Sequence, residues 1–189
     1  QPALRPRRHH GPRLSAVEWQ ARRGRNAVAE SAALRVQGRT VHHAEIGDDD
    51  REHRINAYHR PYHNHLAQIL ATTRPSLILS LHSFTPQLES RKNEQRPWEI
   101  GILYNEQETA SKIAIGYLQT QGLIVGDQLP YSGKLLNATM NRHAEGNDIP
   151  YIGVEMRQDL VSDAKGQERF AQILTRMCHF VSEELGLTA

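Results

Sequence analysis

Leu77-Ile78-Leu79-Ser80-Leu81-His82 is the stretch on which the reading turns. Its first five residues are too continuously apolar for a strand with one face in water, and Pro75 isolates them from what precedes, so they predict a short strand buried on both faces. Upstream, Ile55, Tyr58, Tyr62, Leu66, Ile69 and Leu70 recur at helical spacing behind Asp48-Asp49-Asp50, three carboxylates suited to a helix amino end. They predict a helix over about residues 50–73, with a kink or a second helix beginning near Pro61. Downstream, residues 99–104 and 123–125 and Tyr151-Ile152-Gly153-Val154-Glu155 read as further strands, and residues 87–95 as a polar loop. Between them, Asn105 and Glu108 resemble a capping box opening a helix with Ala110, Ile113, Ala114, Tyr117 and Leu118 on one face. A short helix is expected near residues 137–144, and a last one over 166–185 with Phe170, Ile173, Leu174, Met177, Phe180, Val181 and Leu185 in one stripe. Strands alternating with helices predict an α/β domain with a mixed, largely parallel sheet flanked by helices.

The 189 residues are one domain's worth of chain, enough to bury a core without a metal or disulfide staple. A single cysteine, Cys178, excludes a disulfide framework and any cysteine-rich zinc site, leaving the 11 histidines and the carboxylates as metal ligands. No apolar run is long enough for a membrane-spanning helix and no signal peptide is visible, so a cytoplasmic location is expected. The net charge of +2 hides an asymmetry. Residues 1–40 hold nine arginines, no lysine and only Glu18 and Glu30 as acids, and the rest of the chain is net acidic. Such a run could neutralise nucleic-acid phosphates, but no recognition helix or aromatic-rich strand accompanies it. Composition favours a divergent or disordered lead-in over residues 1–44, followed by an α/β domain over 45–189, with no nucleic-acid or membrane partner.

In open α/β sheets ligands gather beyond the carboxyl ends of strands. Two residues close apolar strands there. His82 could serve as a zinc ligand, or be a hydrogen-bonded structural residue. Glu155 is costly to desolvate unless paired, so it is either ion-paired with Arg157 or a general base tuned by burial. His59 and His63 share i, i+4 spacing but lack the Glu of a metalloprotease helix, and Asp48-Asp49-Asp50 lacks the spacing of a calcium loop. The absence of a glycine-rich phosphate loop, nucleophile elbow or CxxC argues against kinase, dinucleotide and serine-esterase chemistry.

Over about residues 45–175 the chain resembles the N-formylglutamate amidohydrolase family. The resemblance is carried by Arg60-Pro61-Tyr62-His63, Leu81-His82-Ser83-Phe84-Thr85-Pro86, Arg96-Pro97-Trp98-Glu99-Ile100-Gly101-Ile102-Leu103-Tyr104, Pro130-Tyr131-Ser132-Gly133, Arg142-His143 and Val154-Glu155-Met156-Arg157-Gln158-Asp159-Leu160. It implies a zinc carboxypeptidase-like fold and hydrolysis of N-formylglutamate to formate and glutamate, a step of histidine catabolism. It also implies zinc held in part by His82, and Glu155 as the residue that activates water. Arg96, Arg142 and Arg157 are then candidates for a substrate carboxylate, and Tyr131 and His143 for transition-state donors. In the family two further zinc ligands come from an upstream segment that residues 1–40 do not match. The N-terminal part is therefore expected to be missing or divergent, with His9, His10, His42, His43 and Glu45 the histidines and carboxylate nearest to hand. The alternative is an inactive member that acts as a binding domain.

Overall fold

The computed structural model of the chain describes residues 35–36, 39–40, 47–88 and 91–187. The lead-in predicted over residues 1–44 lies outside them, apart from strands β1 (Arg35–Val36) and β2 (Arg39–Thr40), which pair antiparallel.

Helix α1 (Asp48–Arg54) carries its three aspartates in the first turn, against the positive end of the helix dipole. A π-helical stretch, Ile55–His59, joins it to α2 (Arg60–Thr73). Pro61 sits in the first turn of α2, where its missing N–H costs little, so the helix restarts at the proline. Arg74, in left-handed conformation, ends α2 ahead of Pro75. Strand β3 (Ile78–Phe84) follows and extends past the expected end to include His82.

The segment 87–95, expected to be a loop, instead forms an antiparallel hairpin of β4 (Gln87–Leu88) and β5 (Arg91–Gln95). Its side chains are almost all polar, so backbone pairing there leaves no hydropathy alternation to read. Strand β6 (Ile100–Leu103) leads to α3 (Thr109–Thr120), whose N-cap Glu108 makes no side-chain capping bond. The expected capping box is absent: the helix begins four residues beyond Asn105, whose side chain is engaged elsewhere. Its side-chain amide donates to Asn141 Oδ1 and Glu145 Oε2, each at 3.3 Å. Strand β7 (Val125–Asp127) starts two residues later than the apolar run suggested, since Leu123 is buried in the core before pairing begins. Helix α4 (Ala138–His143), strand β8 (Tyr151–Arg157) and helix α5 (Ala164–Glu184) complete the order. Asp163 caps α5 by accepting from Gly166 N at 2.7 Å.

The central sheet runs β3-β8-β6-β7, with β3 parallel to β8, β8 antiparallel to β6, and β6 parallel to β7. The mixed, largely parallel sheet flanked by helices is thus observed. Ile100, Ile102, Ile152 and Val154 are fully buried and pack in one cluster with Ala114 and Leu118 of α3 and Phe170, Met177 and Val181 of α5. Cys178 borders that cluster half-buried, and burial pushes its thiol pKa up. Among the described residues no helix is long and apolar enough to cross a membrane.

Candidate active site

The register of the sheet places the two sequence candidates side by side. His82 on β3 is the Cα partner of Glu155 on β8, and Glu155 is in turn the partner of Gly101 on β6, which partners Gly126 on β7. Registered residues on neighbouring strands put their side chains on the same face, so one transverse row holds an imidazole, a carboxylate and two glycines. This row lies at the carboxyl end of the parallel pair β3 and β8, the position where such sheets bind ligands.

Glu155 is the anomalous group. Its Oε2 is buried without a hydrogen-bond partner among the described residues. Desolvation pushes its pKa up to about 7, the positive charge of Arg96 opposing this only in part. The ion pair with Arg157 that a structural reading requires is not formed. Arg157 instead grips Asp159 with two bonds, Nε to Oδ1 at 2.8 Å and Nη2 to Oδ2 at 3.2 Å. It remains on the Glu155 face, two residues further along β8.

Arg96 is buried yet, among the described residues, bonded only to neutral acceptors. Its Nη1 donates to the Thr85 carbonyl at 3.2 Å and to the Tyr131 hydroxyl at 3.3 Å, and its guanidinium lies 5.3 Å from the Tyr131 ring centre. Among the described residues no carboxylate is in ion-pair contact with this desolvated cation. His82 is exposed, with Nε2 3.2 Å from Ser80 Oγ, a neighbour on the same strand face.

His143 belongs to a different cluster. Buried between α4 and α2, its Nε2 is 2.8 Å from Nδ1 of His63, and the rings stack with centres 5.0 Å apart. Burial, then the charge of Arg142, holds the His143 pKa down. The sequence offers His63 as half of a weak metal pair with His59 and as the last residue of the motif Arg60-Pro61-Tyr62-His63, with no sign of its pairing with His143. The glycines 101 and 126 were also passed over, although a glycine inside a strand pattern signals close approach by another part of the chain.

Zinc requires three protein ligands in a catalytic site. Among the described residues no group of three or more His, Cys, Asp or Glu side chains could hold a metal ion. His82 and the orphaned carboxylate beside it do not by themselves fit zinc, and His9, His10, His42, His43 and Glu45 lie outside the described residues.

The N-formylglutamate amidohydrolase family model matches residues 12–162. The chain belongs to this family. Its match begins within the Arg-rich stretch and ends just past β8, so it takes in the whole His82–Glu155 row. Among solved structures the chain is similar to gene product Atu2144 from Agrobacterium tumefaciens, at 20% identity and a TM-score of 0.73, covering 81% of this chain and 62% of that one. It also matches the N-formylglutamate amidohydrolase from Ralstonia eutropha JMP134 at 19% identity, with a TM-score of 0.46, covering 70% of this chain and 52% of that one. The first likeness shows the fold, and the chain spans less than two thirds of that structure's length. No curated protein matches the chain.

Proposed function

We propose that the Glu155 row hydrolyses the amide bond of an N-acyl amino acid, with N-formylglutamate as the prototype, giving formate and glutamate. The observation that carries this reading is the buried, unpartnered Glu155 Oε2 at the carboxyl end of its strand, in register with His82. A carboxylate with its pKa raised to about 7 is matched to taking and returning a proton near neutrality. Glu155 takes a proton from water as the water oxygen bonds to the formyl carbon and the carbonyl π pair moves onto oxygen. It then returns the proton to the amide nitrogen as the C–N bond breaks. Arg96 receives the substrate carboxylate, and the Tyr131 hydroxyl, which accepts from Arg96, holds the guanidinium in place for it. Arg157 is already paired with Asp159, His143 is paired with His63, and the charge of Arg142 acts on His143, so none of the three is assigned the carboxylate in this reading.

Zinc at His82 belongs to this proposal only with ligands from outside the described residues, and no step above is routed through it. Because no three-ligand group occurs among the described residues, a second reading stands beside the first: an inactive domain that still binds carboxylates. The deciding experiment is zinc content of the full chain after metal-free dialysis, together with formate release from N-formylglutamate. About one zinc per chain, lost in His82→Ala, with formate release lost in Glu155→Gln, supports the hydrolase. Zinc near zero and no formate supports the binding domain.

A further inference from the structure

Residues 128–133, between β7 and α4, lie against the sheet on the row that carries Glu155. A Cβ on Gly101 or on Gly126 would overlap the Leu129 carbonyl oxygen, and one on Gly126 would also stand 3.0 Å from Trp98 Cγ. The two glycines that continue the His82–Glu155 row are therefore the floor on which this loop rests. The loop is tied at both ends. Gln128, with φ +59, donates its backbone N–H to the Ile102 carbonyl at 2.9 Å. Its side chain donates to the Tyr104 carbonyl at 2.6 Å and accepts from Gly133 N at 2.7 Å. What the loop presents is Tyr131, and Tyr131 meets Arg96 through both its hydroxyl and its ring. On the other side Arg96 is held by the end of β3, through the Thr85 carbonyl and the Phe84 ring at 6.0 Å.

We propose that the 128–133 loop is a clamp that fixes Arg96 for the carboxylate of the substrate, with Gly126 and Gln128 as positioning residues that act through Tyr131. This rests on the reading of Arg96 as the carboxylate's partner and deepens it. Carboxylate selectivity is then set by how the loop seats on two glycines, and loosening the seat weakens recognition of the carboxylate while leaving the proton chemistry of Glu155 in place. A single guanidinium held between two neutral oxygens and two rings has, among the described residues, no ion pair to keep it in place once the loop moves.

Two substitutions test the clamp in the full chain. Gln128→Gly removes the side-chain ties and relieves the left-handed backbone, while Gly126→Ala drives a methyl group into the Leu129 carbonyl. Each is expected to raise KM for N-formylglutamate about 10-fold or more with kcat within about 3-fold, the signature of lost binding to a charged group. Hydrolysis of an N-formyl alkylamine, which has no carboxylate, should change equally little in both variants.

Two readouts need no turnover. The Arg96 Nε–H signal, assigned by its loss in Arg96→Lys, should be ordered by NMR relaxation in the parent chain and disordered in both variants. Glutamate affinity should fall by about 10-fold. An inactive parent chain would sink the hydrolase reading, and these two measurements would still decide the clamp. Arg96 equally ordered in both variants with glutamate affinity unchanged overturns it. So does a loss shared equally by the carboxylate-free substrate, which would mark the loop as a general structural support.

Discussion

The two ends of β8 handle buried polar groups in opposite ways. At the amino end Tyr151 is fully buried, and its hydroxyl accepts from Asn105 N at 2.8 Å and from Asn137 Nδ2 at 2.6 Å while donating to Glu145 Oε1 at 2.9 Å. Glu145 in turn accepts from Glu106 N and Gln107 N, so an entire set of loops is tied to one phenol. Four residues along the same strand, Glu155 Oε2 is buried with nothing bonded to it among the described residues. Buried polar atoms in folded proteins are overwhelmingly satisfied, so an orphan on a strand whose other end is fully bonded is an exception, and the proposed hydrolysis rests on it.

Breaking each end separately should have separable consequences. The largest is at the carboxyl end: Glu155→Gln keeps shape but cannot accept a proton, and formate release should fall about 100- to 10,000-fold with the fold intact. Undiminished turnover would remove Glu155 from the mechanism. At the amino end, Tyr151→Phe leaves Asn105, Asn137 and Glu145 without their shared partner and should cost about 1–3 kcal/mol in denaturant unfolding, with KM and kcat little changed. If turnover fell as far as stability, the two ends would not be independent.

The pH dependence sharpens the contrast. The Glu155 pKa is raised on folding, so between its usual value and about 7 the folded state binds more protons than the unfolded one. Stability contributed by the protonated form is therefore present at low pH and is lost as pH rises through about 7. In metal-free buffer Glu155→Gln should flatten that slope and, at pH about 8, gain about 1–2 kcal/mol after discounting for partial exposure. An unchanged slope would mean that the carboxylate finds compensation in solution. The smallest effect is expected at Arg157, whose pairing with the exposed Asp159 should be worth less than about 1 kcal/mol in a double-mutant cycle.

The sequence disclosed His82 and Glu155 because each is a polar residue closing an apolar run, a signal that hydropathy carries directly. Their register could not be read, since it depends on which strands become neighbours: β8 inserts between β3 and β6, although it is the last strand in the chain. The major helices were legible from their apolar stripes, and Pro61 gave the restart of α2. The β4–β5 hairpin was not, because strands built from polar side chains announce nothing to a pattern of hydrophobicity. Asn105 misled for a related reason. A residue that suits a helix cap also suits the tertiary acceptors Asn141 and Glu145, and local spacing does not say which will win. Gly101, Gly126 and Gln128 escaped notice because their role depends on a loop folding back over the strands, a contact between parts of the chain that spacing along it does not reveal.

Cys178, the chain's one thiol, sits half-buried on α5 beside Met177 and the core, with its ionisation suppressed by burial. It is thereby a built-in clock. A thiolate-seeking reagent reacts faster whenever α5 lifts from the sheet, and with a single site the progress curve has one phase to interpret. Followed with and without glutamate, that rate would report whether filling the row on one side of the sheet holds down the helix on the other.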